Sequence, residues 1–282
     1  MQTPVVWSDN KLTINQADAL KRRRSLNDRF MHIPSRRVYE AITNAGADKL
    51  YHACSVPTAC QFLRTNSLMS RGTVERLGVK QIPQDSDALD KKYSIWFDIF
   101  TGSFDLHDQA SRHNAYGPVL LEIDTGIIEY MSTARVLVTK LNPEKWSGKS
   151  EKQRWFQNKQ ELDENFERGT SDQLIVFRHC GGELPLKHYL KRIVLDDPGL
   201  ENSEGVNFYD MAVGALRLAM SDSKLDIPIV KRECSPSCEC NAYYSAHAEY
   251  VYDMFDPMNH HVAPQDSAAN TPCPMSLITR RN

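Results

Sequence analysis

Residues 170–197, TSDQLIVFRHCGGELPLKHYLKRIVLDD, constrain the fold more than any other stretch of the chain. The run Leu174-Ile175-Val176-Phe177 is apolar and mostly β-branched or aromatic, so it predicts a buried core strand. Its entrance is the polar trio Ser171-Asp172-Gln173, which puts Gln173 at the mouth of a rigid element. Gly181-Gly182 then breaks the chain, and residues 185–191 make a short turn of helix or loop. Residues 192–196 predict a second strand, ended by Asp197-Pro198-Gly199.

Upstream, residues 50–54 read as a short strand, and Ser55-Val56-Pro57 is a helix start. The helix runs through Arg64 with Ala59, Phe62 and Leu63 on one face, and residues 67–72 follow as a second short strand and turn. Residues 73–92 are polar and suit a surface loop able to cover a cofactor. Residues 93–100 predict an aromatic strand, and residues 119–124 and 136–139 two more. Residues 142–169 are charged and helix-prone, and residues 206–220 carry a helix pattern. Five to seven short strands on a mixed sheet with peripheral helices make an α+β fold.

Residues 15–30 suggest a helix bearing Lys21-Arg22-Arg23-Arg24, either a solvated face or a phosphate-contacting arm. The chain accordingly divides into a helical N-terminal arm (1–40), a main domain (41–232) and a Cys-containing, partly irregular extension (233–282). Of its 282 residues 41% are hydrophobic and 25% charged, the profile of a globular protein. A net charge of −2 supplies no global basic field, so nucleic acid would have to meet a local patch. No apolar run approaches the ~20 residues that span a bilayer, and the N-terminus lacks the order of a signal peptide, so a cytoplasmic protein without membrane contact is expected. Seven scattered cysteines suit reduced thiols. Cys234, Cys238 and Cys240 lie close enough to share a soft metal, with His247 or Cys273 as a fourth ligand. Their spacing is not that of a standard zinc knuckle, and no metal is expected there. His107 and His113 read as surface residues.

The string YHACSVPTACQFLRTNSLMSRG, followed at a distance by the 170–197 unit, resembles ADP-ribosyltransferases, and especially the DarT-like toxins that modify nucleic-acid bases. The resemblance implies a split mixed β-sheet core, NAD as co-substrate, and a glutamate at the start of the strand that here begins after Gln173. It carries NAD binding to Tyr51, His52, Ser70, Arg71 and Arg76: His52 bonds the ribose, while Arg71 or Arg76 neutralises the pyrophosphate. Ser67 stands where the family has a glycine. Tyr93 or Trp96 would stack on nicotinamide, since a cationic ring over an aromatic face is favourable. Gln173 and Arg71 take the catalytic positions. Arg154, Trp155, Phe156 and Ser171 would meet the acceptor, through stacking and phosphate contacts, unless Trp155 and Phe156 pack into the core instead.

Gln173 departs from the family at its central position, because an amide keeps the shape of a carboxylate and loses its charge. A silenced form of an active enzyme and a natural pseudoenzyme both carry this pattern. Glu183 and, more weakly, Asp172 are rivals for the missing carboxylate. Three functions follow: a toxin modifying RNA or DNA, in a toxin–antitoxin or phage-defence system with an antitoxin or chaperone as partner; a transferase with a protein acceptor; and a catalytically dead NAD-binding protein.

Overall fold

The computed structural model describes residues 33–257 apart from Lys80, Asp85, residues 132–134 and Pro236, so the basic run at 21–24 and Cys273 lie outside the described residues. Within them the chain is α+β, with nine strands in three sheets. The largest has the order β1 (Lys49–Cys54), β4 (Val119–Asp124), β8 (Leu190–Leu195), β9 (Ile229–Lys231), antiparallel except for the parallel β8–β9 edge. A second sheet places β6 (Ile175–Arg178) between β3 (Ile99–Thr101) and β5 (Arg135–Val138). β2 (Ser67–Met69) pairs with β7 (Glu183–Pro185). Tyr51 and Gly102 exchange backbone hydrogen bonds of 2.9 and 2.8 Å, so the β1 edge is stitched to the chain leaving β3.

Local chemistry explains the elements. The apolar run of β4 is buried on both faces, as expected of a central strand. The polar exception in β4, Glu122, is 4% exposed and held between Lys49 and Arg192. Helix α1 is Ser35–Asn44. Helix α2 (Val56–Thr65) starts where the Ser55 hydroxyl accepts the Thr58 N–H, has Pro57 in its first turn, and stops at Asn66 with φ 53°. At Gly117, φ is 142° and a Cβ would lie 2.2–2.6 Å from the backbone of Cys54 and Ser55, so only glycine lets the chain entering β4 cross the end of β1.

One core spans the four-stranded sheet, α1, α2 and the long helix Phe208–Ser223. A second, of Ile95, Leu137, Trp146, Trp155 and Val176, fills the other face of β5–β6. Alternation along β6 serves both, with Ile175 and Phe177 in the first and Val176 in the second.

Several expectations change. Residues 93–98 form turns, with Ser94 at φ 59°, and the strand is confined to Ile99–Thr101. The loop at 73–92 contains α3 (Arg71–Arg76) in part and the helix α4 (Asp87–Lys92). α1 runs through the boundary drawn at residue 40 and buries Val38, Ala41 and Ile42. Within the extension expected to be partly irregular, Cys240–Ala246 and Ala248–Phe255 are helices, whose Tyr244, Val251 and Phe255 are fully buried in the main core.

Candidate functional site

Arg71 is fixed by the way α3 begins. The Ser70 hydroxyl accepts the Thr73 N–H at 3.2 Å and donates to Thr73 Oγ1 at 3.1 Å, so it is a buried helix cap whose proton is already committed. Its backbone N–H donates to the Gly182 carbonyl at 2.9 Å. A Cβ on Gly182 would come within 2.3 Å of Thr73 Oγ1, and φ there is +81°, so the glycine pair lets the β6–β7 link press onto the start of α3. Arg71 projects from that start beneath the polar loop. Its Nη2 donates to the Ile82 carbonyl at 3.0 Å and to Asp87 Oδ2 at 2.8 Å, and its guanidinium lies 5.4 Å from the centre of the Trp96 ring.

β1 brings His52 to the same place. Its Nδ1–H donates to the Phe100 carbonyl at 2.9 Å, which leaves Nε2 with a lone pair. Burial lowers the pKa of the imidazole, and the nearby Arg71 guanidinium lowers it further, so the ring is held neutral with an acceptor nitrogen. Trp96 donates its indole N–H to Glu75 at 2.7 Å and carries Lys91 Nζ 4.3 Å from its ring centre. Burial and the Asp87 charge raise Asp90, in the same loop, to about 6. Arg71 and Trp96 with the acids Asp87 and Asp90 form one half-buried cluster, and His52 lies within electrostatic range of its guanidinium; the two acids gave no sequence signal beyond the polarity of their loop.

The remaining predicted residues fall elsewhere. Arg76 is exposed and reaches over Phe97 at 6.0 Å. Tyr93 belongs to the tryptophan core, edge-on to Trp146 at 5.4 Å and under Arg154 at 4.6 Å, so of the two aromatics proposed for nicotinamide Trp96 stands at Arg71. Tyr51 points to the opposite face of β1 from His52, near Glu122, whose charge adds to burial in raising the phenol pKa. Trp155 and Phe156 are 1% and 2% exposed, so neither presents a ring to a base. Arg154 donates to Glu151 and to the Trp146 carbonyl. Ser171 is exposed, with its carbonyl accepting from Asn142, and Asp172 is paired with Lys145 at 2.7 Å.

Gln173 is bonded at both ends of its amide. Oε1 accepts the Glu167 N–H at 2.8 Å and Nε2 donates to the Asn165 carbonyl at 3.0 Å, tying the loop before β6 to the strand. That loop is also held from the β3 side, where Ser103 Oγ accepts the Gly169 N–H at 3.2 Å. His52 bonds Phe100, which is opposite Val176, and Gln173 lies three residues before Val176, outside β6, so it is not beside His52 along the strand pairing. Glu183, on β7, is exposed.

A second group of side chains converges at the far end of the chain. His107, on the short helix α5 (Leu106–Ala110), meets Cys234, Cys238 and Cys240, their ligand atoms all within 4.8 Å of one another. His247, considered as a fourth ligand, instead donates Nδ1–H to the Tyr243 carbonyl at 2.8 Å and stacks on the Tyr243 ring at 4.1 Å. The real fourth member lies 127 residues before Cys234 and is only 9% exposed, not a surface histidine.

The fold and the two clusters thus define an α+β protein with a half-buried charged and aromatic cluster around Arg71 and Trp96 and a thiol-rich corner. No protein-family model matches the chain, and no curated protein matches it either.

Proposed function

We propose that the protein binds NAD in the His52–Arg71–Trp96 cleft and is organised as an ADP-ribosyltransferase with a split-sheet core, of the kind that modifies nucleic-acid bases in toxin–antitoxin or phage-defence systems. The observation that carries this reading is the convergence of His52 from β1, Arg71 from α3 and Trp96 from the following turn, three residues from separate segments. On release from Asp87, the Arg71 guanidinium would donate to a pyrophosphate oxygen. The free Nε2 of His52 accepts from a ribose hydroxyl, and the Trp96 face suits a pyridinium ring. In the reaction, the bond between nicotinamide and ribose C1′ breaks with its electron pair leaving on nicotinamide. The acceptor nitrogen then attacks C1′ from the opposite face and gives up a proton.

A carboxylate at position 173 would stabilise the cationic ribose, and its absence is worth ~10²–10³ in rate. The amide of Gln173, engaged at both its oxygen and its nitrogen, favours as a second reading a protein that binds NAD and turns it over poorly. The buried Trp155 and Phe156 lend the nucleic-acid acceptor no support, and that choice rests on the resemblance alone.

Calorimetry with NAD should show binding that Arg71→Ala and His52→Ala each weaken at least tenfold; unchanged affinity in both folded variants sinks the cleft. Incubating the protein and Gln173→Glu with labelled NAD and separate pools of DNA, RNA and protein identifies the acceptor. Label on nucleic acid with Gln173→Glu supports the transferase, whereas label on protein alone reassigns the acceptor. NAD binding without labelling of any pool leaves the pseudoenzyme.

A further inference from the structure

We propose that His107, Cys234, Cys238 and Cys240 form a closed tetrahedral zinc site that staples the C-terminal helices to the core. Cys238 Sγ lies 3.1 Å from Cys240 Sγ and 3.2 Å from His107 Nε2, and Cys234 Sγ lies 3.5 Å from the same nitrogen. Zinc bonded at about 2.3 Å to sulfur and 2.0–2.1 Å to nitrogen sets tetrahedral neighbours about 3.5–3.8 Å apart. These three separations fall within about 0.7 Å of those values, and all four ligand atoms lie within 4.8 Å of one another, so side-chain adjustment of about an ångström would surround one ion. A disulfide would need about 2.05 Å between sulfurs, and the cysteines are free. Three thiolates and an imidazole make the donor set of structural zinc and leave no open position for catalysis.

The surroundings are built to present these ligands. Asp105 caps α5 by accepting the His107 N–H at 3.0 Å, and its other oxygen takes Arg232 Nη1 at 2.5 Å, two residues before Cys234. Arg232 also pairs with Asp196, which accepts the Tyr244 hydroxyl at 2.6 Å, four residues after Cys240. Among the described residues of 233–239 none lies in a helix or strand, and Glu239 N–H donates to the Ser111 carbonyl at 2.9 Å, just past α5. One ion would thus fix an otherwise irregular segment to the helix that follows β3.

The full chain, purified under reducing conditions without metal-affinity steps and supplied with zinc, is expected to hold one zinc per chain by elemental mass spectrometry. His107→Ala and Cys238→Ser should lose at least nine-tenths of it. Should these variants fail to fold, the unaltered protein still decides. Stripped of metal and loaded with cobalt, it should give the intense visible spectrum of a tetrahedral thiolate site, and zinc should shield Cys234, Cys238 and Cys240 from alkylation until a chelator is added. A reconstituted protein without bound zinc, a weak octahedral cobalt spectrum, or full zinc retention in a folded His107→Ala protein would overturn the assignment. None of these measurements involves NAD, so the outcome is separable from the function proposed above.

Discussion

In the proposed NAD complex, Asp87 would stand where a phosphate has to be. Its carboxylate occupies the Arg71 guanidinium, and the pair is only about a quarter exposed, so a dinucleotide must displace one anion with another. Asp87→Ala should therefore tighten NAD binding several-fold while Arg71→Ala weakens it, a contrast that calorimetry on the two proteins reads directly. Asp90 adds a pH dependence with a defined sign. Its pKa is raised in the folded protein, from 3.8 to about 6, so its share of stability is present below pH 4 and lost as pH rises through about 6. In the same window its negative charge appears beside Arg71. NAD affinity should accordingly rise as pH falls from 7 to 5, and Asp90→Asn should flatten that profile; a profile identical in both proteins would place the titration elsewhere. Gln173→Glu keeps the bond from Glu167 N–H but turns a carboxylate against the Asn165 carbonyl. The change should cost ~1–3 kcal/mol in urea unfolding, so it is not the silent exchange that near-identical shapes suggest.

At the level of elements, the tryptophan core separates two uses of the same residues. Trp155 packs edge-on to Trp146 at 4.9 Å and sits beside Arg178, so Trp155→Ala should destabilise the fold by ~3–5 kcal/mol, as measured by denaturant titration. Elements with strong local chemistry were legible in the sequence. Residues 119–124 form β4 as expected, and the Ser55 cap with Pro57 and Asn66 marked both ends of α2. The helix over residues 206–220 was anticipated within three residues at either end. Position in space decided the rest. Tyr93 and Trp96 look alike in a string of aromatics, and only the turn with Ser94 at positive φ sends one to the tryptophan core and the other to Arg71. Likewise a C-x3-C-x-C segment acquires a fourth partner only when the topology carries α5 beneath it, a contact that spacing along the chain does not encode. β7 and β9, three residues each, are made by their partners β2 and β8.

Across the whole molecule, Arg232 is the cation that joins distant parts: the segment before α5, the end of β8 and the C-terminal helices meet on it through Asp105, Asp196 and Tyr244. Its side chain is 6% exposed, and Arg232→Met would leave two buried carboxylates without a counter-charge, held only by the His107 N–H and the Tyr244 hydroxyl. A loss of ~3–5 kcal/mol in unfolding free energy is expected, with Asp196→Asn partly relieving it. The strand pairing carries one more consequence, for the order of events in time. β1 pairs with β4, β4 with β8, β2 with β7 and β3 with β6, each across other strands in the sequence, and the consecutive pair β5–β6 is joined through residues 139–174, so among the described residues no antiparallel pair is a tight local hairpin. Such non-local topologies fold in milliseconds to seconds. On a ribosome adding about 5–20 residues per second, His52 and Arg71 wait on the order of ten seconds for β6 and β8 to emerge, and until then the cleft does not exist.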